Sequence, residues 1–362
     1  MAYTFGIDLG GTTVKIGLFR DTELAEKFEI PTRVEEDGRH ILPDIAQAVL
    51  ETLERLRISK AEVRGIGIGV PGPVDAQGVV NCCTNLNWGV FNLHETLSAL
   101  TGLKVVGGND ANCAALGEYY CYGGQGSAMF VTLGTGVGGG IIIDGKLLAG
   151  AHGSAGEIGH ITVPAKEKLP CTCGKKGCIE CYASATGISH MAKLRMGKEL
   201  SSKEVFDLAK DGNEEAVAVL EEVFDLLGEA IASACCVIDP HKIILGGGVS
   251  KAGEYLRQGV EKYFEIHKFH ACEGTTVTLA QLGNDAGMYG AMRFAKLAAV
   301  MDCRETLPGP VITVSNKPSP PKSIFLTPLT LCTSIWQEAS MMATTPVSQI
   351  SCSPGFRMYS AQ

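Results

Sequence analysis

The sequence predicts an α/β fold with room for two domains, and three features of the chain bear on this prediction. Its 362 residues are enough for two domains and a sizeable core. Short apolar runs typical of strands alternate with amphipathic stretches typical of helices. The 45 glycines are concentrated at the ends of apolar runs rather than in a linker, which indicates places where the backbone approaches a ligand.

The charge balance limits the kinds of partner that the chain is expected to bind. A formal net charge of −8 argues against a nucleic-acid-binding surface and favours small or neutral partners. No stretch suggests a membrane span, and no secretory leader precedes Asp8. We therefore expect a cytoplasmic protein, in a compartment where thiols stay reduced.

The chain opens with two apolar runs separated by a Gly-Gly turn, which predicts a β-hairpin. Backbone N–H groups in such a turn form a concavity that binds anions. Hydroxyl and ammonium groups beside the turn add donors, so the hairpin is a candidate phosphate site. A tight turn without a ligand is the alternative. The residues concerned are Gly10, Gly11, Thr12, Thr13 and Lys15.

A helix is predicted to follow, with Pro43 as its first residue and apolar positions at helical spacing. A buried strand over residues 63–70 comes next and ends in a turn rich in proline and glycine. Ligands collect at such strand ends in open α/β sheets. Trp88, in the loop beyond, fits either a core position or a ligand pocket, and the core position is favoured.

The pair Asn109-Asp110 stands between a short strand and the start of a helix. Asp110 can cap that helix, because its side chain can accept hydrogen bonds from the free N–H groups of the first turn. It can also act as a general base at the carboxyl end of the strand. The residues alone favour the cap.

A second glycine-rich segment contains Gly134, Thr135, Gly136 and Gly139 and matches the pattern G-x-G-x-x-G. A dinucleotide-binding site of a nicotinamide-dependent oxidoreductase would require a helix after these glycines. Three isoleucines and an Asp-Gly turn follow instead. The segment is therefore predicted to be a second hairpin and a second candidate phosphate site.

The densest group of reactive side chains runs from Gly156 to Cys181. Three thiols at these short intervals can converge with His160 on one tetrahedral Zn²⁺ ion. A disulfide and four ordinary cysteines are the alternatives, and a reducing compartment favours the metal. Glu157 and Glu180 flank His160, whose second ring nitrogen is free to donate. Together they offer a donor and acceptors to a polyhydroxylated ligand such as a sugar.

The rest of the chain reads as helices and strands, followed by a tail of different character. Ser201 and Glu204 form a predicted capping box, and Asn213 is predicted to cap a longer helix. A buried strand then leads into Gly246, Gly247 and Gly248. After a last strand and a closing helix, residues 299–362 are rich in Pro, Ser and Thr. We expect this tail to be disordered. A fused or out-of-frame end fits equally well, whereas nothing in these residues indicates an interaction segment.

The run Gly156-Glu157-x-Gly-His160, followed by Cys-x-Cys-Gly-x-x-Gly-Cys-x-Glu180, resembles the zinc and sugar motif of the ROK family. That family comprises bacterial sugar kinases and sugar-sensing repressors. The two hairpins resemble the paired phosphate loops of the actin and hexokinase superfamily. The resemblance implies an actin-like ATPase (ribonuclease H-like) fold with a zinc-binding loop. Its small lobe would span residues 1–112 and its large lobe residues 113–283, and a closing helix at about 284–298 would return to the small lobe.

The resemblance also implies an activity, namely ATP-dependent phosphorylation of a hexose, with glucose 6-phosphate as the expected product. Asp110 would be the base, Asp8 would hold Mg²⁺ through water, and both hairpins would bind phosphate while residues 246–248 border the adenosine. The implied sugar contacts are Asn109, Glu157, His160 and Glu180. The implied zinc ligands are His160, Cys171, Cys173 and Cys178.

Several alternatives stay open at this stage. The second choice after a glucokinase is an N-acetylhexosamine or fructose kinase of the same family, because the size of the sugar pocket depends on loops that the sequence does not place. A sugar-sensing repressor would carry an N-terminal helix-turn-helix, for which the early Asp8 leaves no room. The resemblance further implies a homo-oligomer, either a dimer or a tetramer.

Overall fold

The structure, a computed structural model, describes residues 2–75, 77–80, 83, 86–151 and 153–305. Its strands are β1 (Tyr3–Leu9), β2 (Thr13–Arg20), β3 (Glu23–Pro31), β4 (Val63–Val70), β5 (Val79–Val80), β6 (Phe91–Asn92), β7 (Val105–Asn109), β8 (Ala128–Leu133), β9 (Val137–Ile143), β10 (Lys146–Leu147), β11 (Lys242–Gly246) and β12 (Thr276–Leu279). Its α-helices are α1 (Ile41–Leu56), α2 (Leu93–Thr101), α3 (Asp110–Cys121), α4 (Glu180–Ala183), α5 (Ala185–Met196), α6 (Ser202–Lys210), α7 (Glu214–Ile238), α8 (Glu254–His267) and α9 (Ala286–Glu305).

Two five-stranded sheets with the same plan organise this part of the chain. The first has the order β3-β2-β1-β4-β7 and the second the order β10-β9-β8-β11-β12. In each sheet the first three strands are antiparallel neighbours, and two parallel strands follow. The turns between β1 and β2 and between β8 and β9 are the two glycine turns. Both predicted hairpins are therefore confirmed.

Each sheet has its own hydrophobic core. Helices α1 and α2 cover one face of the first sheet, where Phe5, Ile7 and Ile45 are fully buried. Helices α5, α6, α7 and α8 contribute to the second core, together with β11 and β12. Trp88 belongs to the first core, because it is only 7% exposed and its Nε1–H donates to the Gly38 carbonyl at 3.2 Å. The core position predicted for Trp88 is confirmed.

The predicted helix ends are mostly confirmed, with one correction. Ser201 and Glu204 form the expected capping box, and Asn213 caps α7 through its side chain. Helix α1 begins at Ile41, two residues before Pro43. The prediction that proline opens this helix was therefore wrong. Any position in the first turn suits proline, because N–H groups there have no partner within the helix.

Helix α9 lies directly on the backbone of β1, β4 and α3. A Cβ atom added to Gly67 would lie 1.7 Å from the Ala291 carbonyl oxygen, and one added to Gly290 would lie 1.6 Å from the Cys113 carbonyl oxygen. Real Cβ atoms do not approach so closely, so these contacts require glycine. The closing helix is thus packed against the first sheet, near the start of the chain.

The segment before α9 is held by a buried carboxylate. Glu118, on α3, is fully buried and accepts hydrogen bonds from the N–H groups of Gln281 at 2.8 Å and Leu282 at 2.7 Å. Burial raises the pKa of Glu118, and these N–H donors oppose the rise. The start of α9 is therefore fixed relative to α3.

Helix α9 continues to Glu305, so residues 299–305, predicted to begin the tail, are helical. The run from Leu297 contains no glycine or proline before Pro308, and nothing in it stops a helix earlier. The remaining tail, residues 306–362, lies outside the described residues. The predicted lobe boundary at 112/113 falls within α3 and stays a prediction.

We expect Gly290→Ala to lower the free energy of unfolding by about 1–3 kcal/mol, because the new methyl group must displace the α3 backbone. Gly89→Ala is the matched control, since no atom lies within 4 Å of its Cβ position. Urea unfolding monitored by circular dichroism measures both. Equal midpoints for the two variants would contradict the close packing of α3 and α9.

Candidate active site

The first hairpin presents an open turn. Gly10 N–H donates to the Thr13 carbonyl at 3.0 Å, which closes the turn, and Gly11 and Thr12 are exposed. Thr32 supports it from β3's end, because its hydroxyl donates to the Gly10 carbonyl at 2.7 Å and its N–H to the Thr12 carbonyl at 2.9 Å. The turn therefore has space in front of it and a fixed backbone behind it.

Asp8 and Lys15 lie opposite each other on β1 and β2. The Lys15 ammonium is 3.6 Å from Asp8 Oδ2 and donates to the Asn284 carbonyl at 2.7 Å. Burial raises the pKa of Asp8, the Lys15 charge lowers it, and nearby Asp285 raises it again. The Lys15 ammonium therefore contacts Asp8 and the segment just before α9, in addition to lying near the glycine turn.

The sequence offered two roles for Asp110, helix cap and general base, and in the structure Asn109 is the cap. Asn109 is the N-cap of α3, and its side-chain oxygen accepts the Asn112 N–H at 3.2 Å. Asp110 is the first residue of the helix, and its carboxylate accepts the N–H of Ala111 at 2.8 Å. The hypothesis that Asp110 is the cap was therefore wrong, because the preceding residue has the extended backbone that a cap requires.

The carboxyl group of Asp110 is strongly perturbed. Burial raises its pKa to about 6, the Ala111 N–H opposes the rise, and the charge of Asp8 adds to it. Asp8 of β1 pairs with Gly69 of β4, and Gly69 pairs with Gly108 of β7, so Asp8 and Asp110 lie at the same edge of one sheet, on either side of β4. A carboxylate with this pKa is suited to accept a proton near neutral pH.

The second hairpin has a turn held at both ends. Gly134 N–H donates to the Gly136 carbonyl at 2.9 Å, and the Gly134 carbonyl accepts the N–H of Ala185 at 2.8 Å. Val137 N–H donates to Glu180 Oε2 at 3.0 Å. Thr135, at the tip, is exposed. Since a strand rather than a helix follows the glycines, the structure argues against a dinucleotide-binding turn.

The last residue of β11, Gly246, and the two glycines that follow it lie beside this hairpin. A Cβ atom on Gly247 would be 2.5 Å from the Leu133 carbonyl oxygen, at the end of β8, whereas one on Gly248 would meet no atom within 4 Å. Gly246 is buried at the end of the strand. Open space therefore adjoins both the second hairpin and Gly248.

Four donor atoms of the cysteine-rich loop come together. The ligand atoms of His160, Cys171, Cys173 and Cys178 all lie within 4.8 Å of one another. Cys173 and Cys178 sulfurs are 3.6 Å apart, and Cys171 sulfur is 3.7 Å from His160 Nδ1. A tetrahedral zinc site with Zn–S bonds of about 2.3 Å has edges of about 3.8 Å, so this donor set fits zinc.

Cys181 is not one of the four donors, although its thiol interacts with that of Cys171. Its sulfur contacts the Pro170 carbonyl at 3.5 Å, and it is absent from the group of four donors found among the described residues. The four cysteines of the loop, Cys171, Cys173, Cys178 and Cys181, form no disulfide. The donor set is one His and three Cys, as the sequence motif implied.

The segment that carries Glu157 and His160 packs on the second hairpin. A Cβ atom on Gly159 would lie 2.0 Å from the Val137 carbonyl oxygen. Glu157 is exposed and His160 is half-buried. Of the four predicted sugar contacts, the structure therefore groups Glu157, His160 and Glu180 around the second hairpin, while Asn109 lies beside Asp110.

Helix α3 connects the two groups of residues. It begins at Asp110, beside the first hairpin, and its Ala115 packs against Gly140 of β9. Two residues that support the site, Thr32 and Asn284, were not predicted. Nothing marks Thr32 in the sequence, whereas Asn284 follows a glycine just before a helix, a pattern typical of a structured turn.

Among the described residues, no helix combines the length and apolar character needed to cross a membrane.

The chain is similar to known proteins over most of its length. Residues 4–298 match the ROK family. The glucokinase of Halalkalibacterium halodurans is 40% identical over 304 residues, which cover 79% of this chain and 92% of that protein. The crystal structure of a ROK hexokinase from Thermus thermophilus has a TM-score of 0.73 at 30% identity and covers 83% of this chain and 99% of that one. A ROK family glucokinase from Streptomyces griseus, crystallised with glucose and AMPPNP, has a TM-score of 0.64 at 33% identity, with coverage of 82% and 100%. The chain belongs to the ROK family and has its two-lobed, actin-like α/β fold.

Proposed function

We propose that this protein is a sugar kinase that transfers the γ-phosphoryl group of ATP to the 6-hydroxyl of glucose. The observation that carries the proposal is the half-buried Asp110 carboxylate, with a pKa of about 6, at the end of β7 and close enough to Asp8 to be affected by its charge. The 40% identity to a glucokinase and the likeness to a glucokinase bound to glucose and AMPPNP support the choice of reaction and substrates.

In the proposed reaction Asp110 accepts the proton of the 6-hydroxyl while that oxygen forms its bond to the γ-phosphorus. The bond between this phosphorus and the β,γ-bridging oxygen breaks, and ADP leaves with the bond's electron pair. Phosphoryl transfer depends mainly on positioning and on neutralising charge. The open turn of the first hairpin and the second hairpin supply N–H groups for the phosphates, and residues 246–248 border the adenosine.

Two metals are part of the proposal. Asp8 offers the hard oxygen ligand that Mg²⁺ prefers, and we assign it to hold that ion through water, where Mg²⁺ neutralises phosphate charge when bound. The cluster of His160 and three cysteines holds Zn²⁺. Four protein ligands leave no open coordination position, so the zinc is structural and takes no part in the chemistry.

We assign Asn109, Glu157, His160 and Glu180 to the sugar. The competing substrates within the family are N-acetylhexosamines and fructose, and a sugar-sensing protein without turnover is the competing function. An ADP-release assay with a panel of sugars distinguishes them, because only a glucokinase has its highest kcat/KM with glucose. We also propose a cytoplasmic location and a homo-oligomeric state, either a dimer or a tetramer. Cell fractionation tests the location, and light scattering tests the oligomeric state.

Asp110→Asn should reduce kcat by about 10²–10⁴-fold, because the amide cannot accept the hydroxyl proton. Affinities for glucose and AMPPNP, measured by calorimetry, should stay close to those of the unchanged protein. Asp37→Asn, at an exposed position, is the control for a charge change alone. A kcat near the original value would leave Asp110 without a role in proton transfer.

The pH dependence should follow Asp110. Since the base must be ionised, kcat/KM for glucose should rise with pH through about 6. The raised pKa also means that the folded state holds this proton more tightly than the unfolded chain. The contribution of Asp110 to the free energy of unfolding is therefore lost as the pH rises from 3.8, the ordinary pKa of an aspartate, to about 6. Asp110→Asn should abolish this loss. Urea unfolding across that range measures it without any turnover.

Cys173→Ser and His160→Ala should each lose bound zinc, whereas Cys181→Ser should keep it, because the Cys181 sulfur lies outside the cluster. Zinc content of the purified variants, measured by mass spectrometry, gives the result directly. The two zinc-free variants should also show a higher KM for hexose, because the loop that carries His160 loses its anchor. Full zinc occupancy in His160→Ala would remove that histidine from the ligand set.

A further inference from the structure

Residues 180–185, which we call the clamp segment, hold both ends of the second glycine turn. Glu180 Oε2 accepts the N–H of Val137 at 3.0 Å, at the end of the turn. The N–H of Ala185 donates to the Gly134 carbonyl at 2.8 Å, at its start. A carboxylate that accepts a backbone N–H makes a stronger hydrogen bond than a neutral acceptor.

The turn is shaped to receive this carboxylate. A Cβ atom on Gly136 would lie 2.4 Å from Glu180 Oε2, so any side chain at that position would push the carboxylate away from Val137. Position 136 therefore requires glycine because the Glu180 carboxylate lies so close, and this requirement holds whether or not a nucleotide is bound.

The clamp segment is also continuous with the metal loop. Cys178, a member of the metal cluster, precedes Glu180 by two residues. Between them Ile179 is 1% exposed, and its N–H donates at 2.9 Å to the carbonyl of Ile161, the residue after His160. Glu180 Oε1 lies 3.9 Å from the Cys171 sulfur. The Glu180 backbone is thus fixed by the same elements that bring the metal ligands together.

We propose that Glu180 is a positioning residue for the nucleotide phosphates, because it fixes the second hairpin through Val137, in addition to any contact with the sugar. This inference rests on the proposed function, in which that hairpin binds ATP. It assigns the zinc loop a second task, since the loop would order one phosphate-binding turn as well as His160.

The first test measures AMPPNP binding by calorimetry without sugar. Glu180→Ala should raise Kd about tenfold or more, which is the usual range for a lost hydrogen bond to a charged group. Glu180→Gln should stay within about threefold, because its amide oxygen can still accept the Val137 N–H. Glu273→Ala is the matched control, because this exposed glutamate lies outside the clamp segment and the proposed binding sites and should leave Kd for AMPPNP unchanged.

The second test follows the hairpin without any ligand. Amide hydrogen exchange at Val137 should accelerate in Glu180→Ala and in Gly136→Ala, and should stay slow in Glu180→Gln. Zinc content of all three variants should be unchanged, which separates loss of the hydrogen bond from loss of the metal. Gly136→Ala keeps the proposal testable if Glu180→Ala does not fold.

The outcomes separate this inference from the proposed function. If Glu180→Ala binds AMPPNP normally and protects Val137 as before, while its sugar affinity falls, Glu180 is a sugar contact alone and the inference is wrong. If the unchanged protein binds no AMPPNP, the proposed function fails, and the assignment of Glu180 to the nucleotide phosphates fails with it.

Discussion

The close packing of α9 on bare backbone is the constraint on which the rest of the structure depends. Gly67 and Gly290 allow this helix to touch β4 and α3 at distances that no side chain permits. The start of α9 consequently lies beside Asp8, where Gly287 has room only for a hydrogen. The last helix, the first strand and the helix of Asp110 are thereby held as one unit around the carboxylates.

Much of the fold could be predicted from the sequence because the signals are local. Apolar runs on either side of glycine turns specify the two hairpins, and capping residues such as Ser201 and Asn213 specify helix starts. The contact of Gly67 with α9 could not be predicted, because it joins residues more than two hundred positions apart and leaves no periodic pattern. The predicted end of α9 was wrong because a local change in composition does not by itself end a helix, and α9 continues to Glu305.

The candidate site shows the same division. The grouping of His160 with three cysteines was predictable because these four side chains lie within nineteen residues and their spacing limits the geometry. The assignment of the helix cap to Asn109 rather than to Asp110 could not be predicted, because either side chain can cap a helix and only the backbone angles decide between them. The contact of Lys15 with Asn284 joins residues 269 positions apart, and the hydrogen bond from Val137 to Glu180 depends on a turn whose shape the sequence does not specify.

The position of Trp88 has a spectroscopic consequence. The chain has one other tryptophan, Trp336, which lies outside the described residues. A chain shortened after Glu305 would therefore carry a single indole, enclosed in the core of the first sheet with its ring edge-on to Phe91 at 5.0 Å. Its emission would be that of an apolar environment and would respond to rearrangement of the first lobe. The protein thus contains an intrinsic optical probe for that lobe, which needs neither a label nor an engineered residue.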